Sequence, residues 1–158
     1  MRKLRFVMAL ASAVVMAALL GTSVAAGDLP ANVKTELANS KYVYIATTRK
    51  DGKLGKPAEI WFMYHNGAVY VASPPTTWRV RRIKAGRTQA KIAVGKPDGP
   101  SFVATGAIVN EPDLYPTLFE TYAKKYPDGW KNFEEKFRAG LKDGSRVLIK
   151  FTPKDAAH

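Results

Sequence analysis

The pair Asn66-Gly67 narrows what this chain can become more than any other feature. Both residue types tolerate the left-handed backbone of a two-residue β-hairpin turn. Before the pair lies Lys56–Tyr64, with the unbroken apolar run Ile60-Trp61-Phe62-Met63; after it lies Ala68–Ser73, rich in Val and Tyr. Both segments read as strands. A run without alternation implies burial on both faces, as in a closed barrel or an interface.

Three further strands precede or follow in the same style. Tyr42–Thr48 is β-branched and aromatic and stops before the turn pair Asp51-Gly52. Gln89–Val94 and Phe102–Asn110 flank the turn-forming Lys96-Pro97-Asp98-Gly99-Pro100. A final strand, Arg146–Phe151, alternates through Val147, Ile149 and Phe151. Helical spacing appears at Val33 and Leu37 within Gly27–Ser40, where Asp28 is the expected cap and Pro30 suits the first turn. Trp78–Ala85 follows the Pro74-Pro75 stop, with Thr76 or Thr77 as expected cap and Gly86 as terminator. Leu114, Leu118 and Tyr122 mark one more helix. Trp130, Phe133, Phe137 and Leu141 mark another, set apart by Pro127-Asp128-Gly129 and followed by Gly144. The order predicts a mainly β domain: a six-stranded antiparallel barrel with helices flanking an end or side.

Residues 1–26 read as a secretory signal peptide. Arg2, Lys3 and Arg5 precede the uncharged run Phe6–Leu20, and Ser23-Val24-Ala25-Ala26 offers small residues for cleavage after Ala25 or Ala26. The run is short for a membrane span. The expectation is an exported chain, periplasmic or secreted, whose single domain is residues 27–158. Cysteine is absent, so no disulfide framework supports it. The balance of 25 basic against 13 acidic residues, a net charge of +12, favours anionic partners.

Material for acid–base, nucleophilic or metal chemistry is scarce. The two histidines are His158, the last residue, and His65, expected to be exposed beside the hairpin turn. No Gly-rich phosphate loop of the GxGxxG or GxxxxGK type occurs. Glu134-Glu135 reads as a solvated helix face. The concentrated signal is Thr76-Thr77-Trp78-Arg79-Val80-Arg81-Arg82-Ile83-Lys84. Arg79 and Arg82 can share one helical face, with Val80 and Ile83 on the buried one. Guanidinium groups near a helix start suit a phosphate. An ordinary basic surface helix accounts for the same composition.

The order of these segments resembles the pyridoxamine 5′-phosphate oxidase-like FMN-binding split-barrel family. Pro57 and Trp61-Phe62 match the second strand, Ala72-Ser73 the end of the third, and Thr77, Arg79 and Ile83 the helix start. Val103–Val109, with Gly106-Ala107 at its centre, matches a later strand, and Val147–Pro153 the closing one. Arg79 stands where many members have Lys, Arg82 stands where they have Asn, and Pro74-Pro75 alters the intervening loop. The resemblance implies a homodimer with the cofactor at the interface. That cofactor is FMN, with the deazaflavin F420 or haem as alternatives. By the same carry-over, Thr77, Arg79 and Arg82 hold the phosphate, Ile60, Trp61, Ala72 and Ser73 line the ring and ribityl chain, and Trp78 joins the cofactor-binding set. The implied activity is an exported FMN- or F420-dependent oxidoreductase acting on a small substrate. The alternative is a non-catalytic secreted binding protein of the same fold for flavin, haem or another anion. No nucleic acid is expected as partner, and no membrane contact beyond the leader before its cleavage.

Overall fold

The computed structural model describes residues 27–154; the expected leader and His158 lie outside them. In chain order the elements begin with α1 (Ala31–Asn39), β1 (Val43–Thr47), β2 (Ala58–Ile60), β3 (Met63–His65) and β4 (Ala68–Ser73). They continue with α2 (Trp78–Lys84), β5 (Gln89–Val94) and β6 (Ser101–Val109). After a short 3-10 turn come α3 (Tyr115–Lys125), α4 (Pro127–Asp143) and β7 (Val147–Pro153). The domain is mainly β, as the sequence predicts.

The strand count is seven, not six, because the expected strand over Lys56–Tyr64 breaks at Trp61-Phe62. All pairings are antiparallel, in the order β2-β1-β5-β6-β7-β4-β3. The break therefore joins the two outermost strands. Laid flat, seven strands would separate those edges by roughly 29 Å. The two-residue link spans at most about 11 Å. The sheet must curl until its edges approach, which makes a barrel that is split at Trp61-Phe62.

Curling explains the burial pattern. Every residue of β4 is buried. Val69 and Val71 face the barrel interior with Val43, Ile45, Ile92, Ile149 and Phe151. Ala68, Tyr70 and Ala72 face a second core under α3 and α4 with Leu118, Tyr122, Trp130 and Leu148. Val33 and Leu37 of α1, and Val80 and Ile83 of α2, join the interior core. β6 alternates instead, with Phe102 and Ala104 inward and Ser101, Val103 and Thr105 in solvent.

Several local expectations change. Asp28 does not cap α1; its carboxylate accepts a 2.6 Å hydrogen bond from Lys34 Nζ, and Pro30 holds the cap position. Thr77 holds the cap position of α2, but its hydroxyl donates back to Pro74 O at 2.9 Å and bonds no helical N–H. Pro127 starts α4 directly, so Tyr126 alone separates it from α3. Proline loses nothing there, since first-turn N–H groups lack helical partners. His65 is half-buried, edge-on to Tyr70 at 6.5 Å, rather than exposed.

Candidate functional site

The strand break creates the site. β3 pairs with β4 only over Ala68–Tyr70, so the end of β4, at Ala72 and Ser73, diverges from β2. Breaking a strand also frees backbone groups that need partners. The end of α3 supplies them from Tyr122, Lys125 and Tyr126, which the i, i+3, i+4 spacing puts on one face. The Tyr122 hydroxyl donates to Trp61 O at 3.2 Å, and Lys125 Nζ to Phe62 O at 3.2 Å. The Tyr126 hydroxyl accepts from Phe62 N–H at 3.0 Å and donates to Lys41 O at 2.7 Å. Burial pushes both phenols well above their ordinary range and lowers Lys125 to about 8. The ammonium also sits 3.3 Å from the Phe62 ring centroid.

This clamp fixes Trp61. Its ring lies parallel to Tyr126 at 4.3 Å and to Phe137 at 5.8 Å, and meets Tyr122 and Phe133 edge-on. Gly129 permits the approach, since a Cβ there would lie 2.6 Å from Trp61 Cζ2. Protein rings thus engage the Trp61 π surface, although the residue still borders the opening.

Two chambers meet at Arg79. The first, about 380 Å³, is aromatic: Ile60 and Trp61, Ala72 and Ser73, then Phe133, Phe137 and Arg146 border it, with Glu59 as its one acid. The second, about 490 Å³, is cationic: Arg49, Lys56, Arg79 and Arg82 border it beside Thr47, Thr77 and Trp78. Both volumes fall in the range of small-molecule sites.

Neutral groups hold the two shared-face arginines. Arg79 Nη1 donates to Ser73 Oγ at 2.9 Å, and Ser73 is fully buried. Arg82 Nη1 donates to Thr47 Oγ1 at 3.0 Å and Thr47 O at 3.2 Å. Gly55 makes room for that guanidinium, which a Cβ at 55 would strike. Among the described residues neither arginine pairs with a carboxylate, whereas Arg49 does, with Asp51. Burial pulls Arg79 below the ordinary arginine range. A guanidinium stays protonated regardless, so a half-buried one without a counter-ion favours an arriving anion. Trp78 is 65% exposed and stacks beneath Arg81 and Arg82 at 4.9 and 5.5 Å.

The eight residues singled out in the sequence all border this pair of chambers. Ile60, Trp61, Ala72 and Ser73 line the first, Thr77, Trp78 and Arg82 the second, and Arg79 both. Sequence reasoning missed Phe133, Phe137 and Arg146 as lining, and Arg49 and Lys56 as further cations. His65 borders neither chamber.

No protein-family model and no curated protein matches the chain. Solved structures do. A Clostridium acetobutylicum protein of the pyridoxinephosphate oxidase family, related to general stress protein 26, has TM-score 0.52 at 17% identity, over 77% of this chain and 80% of its own. The chain has the pyridoxamine 5′-phosphate oxidase-like split-barrel fold. An F420 reductase shares it with TM-score 0.53 and 21% identity, over 80% of this chain and 96% of its own. The Vibrio cholerae haem storage protein HutZ shares it with TM-score 0.56 and 13% identity, over 78% of this chain and 89% of its own. Split barrels thus include proteins named for redox chemistry and for haem.

Proposed function

We propose that the protein is a flavin- or deazaflavin-dependent oxidoreductase that takes FMN or F420 and acts on a small substrate. The observation that carries this reading is the pair Arg79, at the junction of the chambers, and Arg82, in the cationic one, both oriented by neutral oxygens and, among the described residues, free of carboxylate partners. In this assignment Arg79 and Arg82 hold the phosphate, with Thr77 and Lys56 beside them. Ile60, Ala72 and Ser73 carry the ring system along the gap between β2 and β4. The bound flavin supplies the hydride or electron transfer, and the protein supplies position and electrostatics.

The donor set suits flavin better than haem. Among the described residues neither chamber is bordered by His, Cys, Met or Tyr, the usual protein ligands of haem iron. The assembly in this reading is a homodimer with the cofactor at the interface. Residues 1–26 direct export, so the cofactor is acquired outside the cytoplasm.

Titrating purified protein with FMN, F420, riboflavin and haem, followed by absorbance and fluorescence, tests the reading. FMN or F420 binding that exceeds riboflavin binding at least tenfold supports it. Failure of both FMN and F420 to bind more tightly than riboflavin, or binding of haem alone, overturns it.

A further inference from the structure

The aromatic chamber has one wall that the cofactor assignment does not use. Phe133 and Phe137 come from α4 and Arg146 from the turn into β7, and none of the three borders the cationic chamber. Phe133, on the border of the chamber, meets Trp61 edge-on at 6.1 Å and has Lys136 Nζ 5.6 Å from its ring centroid, and it is still 42% exposed. Such a ring offers surface for another flat ring.

Arg146 is held ready beside it. Its stem fills the notch at Gly140, where a Cβ would lie 2.9 Å from Arg146 Cγ. Its backbone N–H donates to Gly140 O at 2.9 Å. Its guanidinium stands 4.1 Å from the Phe137 ring centroid, which occupies one π face and leaves the edge N–H groups for a ligand. Among the described residues no carboxylate pairs with it. Burial lowers its pKa against the opposing effect of nearby Tyr122.

Charge then selects the ligand. The cofactor assignment commits Arg79 to the phosphate, which leaves Arg146 as the cation of this wall, and the Glu59 carboxylate on the same chamber already accepts the Tyr44 hydroxyl. A single guanidinium at the wall suits a monoanion. A guanidinium edge matches the two oxygens of a carboxylate as a fork, while a dianionic phosphate would meet Glu59 on the same chamber.

We propose that this wall is a separate subsite in which Arg146 binds the carboxylate of a planar aromatic acid whose ring packs on Phe133. The ligand's role as substrate rests on the oxidoreductase reading; its recognition does not.

Isothermal titration of the protein with 2-naphthoate and the neutral 2-naphthamide tests the subsite, with FMN titrated in parallel. Wild type should bind the acid at least tenfold more tightly than the amide. Arg146→Gln should bring the two within twofold, while FMN affinity stays within twofold of wild type. Arg146→Lys, which keeps stem and charge, should restore part of the preference, and this separates charge from packing. Equal binding of acid and amide by wild type, no binding of the acid, or a tenfold preference surviving in Arg146→Gln would overturn the proposal. Acid preference without any FMN binding would keep the subsite and remove the flavin reading. FMN binding without acid preference would do the reverse.

Discussion

Replacing Arg79 by Ala removes the one side chain among the described residues that borders both chambers. A hydrogen bond to a charged group is worth about 1.5–3 kcal/mol. If Arg79 gives one such bond to the phosphate, Arg79→Ala should weaken FMN binding roughly 12- to 160-fold. Riboflavin lacks the phosphate, so its affinity should change by no more than about twofold on the same scale. The variant also takes a donor from Ser73 Oγ, a fully buried hydroxyl. Folding stability should fall by about 1 kcal/mol, readable as a shifted urea midpoint. Arg79→Lys keeps a charge without the fork and should give an intermediate FMN affinity. The assay is quenching of flavin fluorescence for both ligands against all three proteins. Equal losses for FMN and riboflavin would mean that Arg79 shapes the chamber without holding a phosphate, and would refute the reasoning.

Tyr126→Phe leaves the buried Phe62 N–H and the Lys41 carbonyl without their shared hydroxyl, and should cost about 1–3 kcal/mol in urea unfolding. Lys125 titrates at about 8 in the folded protein and at its ordinary 10.5 when unfolded. Between those values the unfolded chain binds the extra proton, so unfolding free energy should rise from pH 8 towards pH 10. Lys125→Met should abolish that rise; above pH 10 the raised phenols of Tyr122 and Tyr126 work in the opposite direction. Gly55→Ala drives its Cβ into the Arg82 guanidinium, the free end of a flexible side chain. The fold should survive by circular dichroism while FMN affinity drops about tenfold and riboflavin affinity holds.

Much of the fold was legible because its strands are locally consistent. Asn66-Gly67 builds the β3–β4 turn, with φ of 46° and 76°. Val147, Ile149 and Phe151 lie where alternation places a closing strand. The break at Trp61-Phe62 was not legible. Its residues are as apolar as their neighbours, and what parts them is pairing with opposite edges of the sheet. The same limit hid half of the site. Arg79 and Arg82 stand in a dense basic run that composition reveals. Phe133 shares its helical spacing with the buried Trp130 and Phe137, and only the position of α4 over the opening exposes it. Arg146 opens an ordinary strand pattern and gains meaning from Gly140, six positions earlier in the chain. Thr77, one of the two threonines that the sequence offers ahead of α2, and Asp28 read as caps because such side chains commonly cap helices. Each has a nearer partner, Pro74 O and Lys34 Nζ, that satisfies it first.

A crystal structure of the purified protein soaked with FMN bears most directly on the seat formed where β2, β4 and α2 converge. The phosphate should lie within hydrogen-bond distance of Arg79 and Arg82, with the ring running past Ile60 and Ser73. A phosphate found elsewhere on the surface, with both guanidinium groups still bonded only to Ser73 and Thr47, would contradict the account.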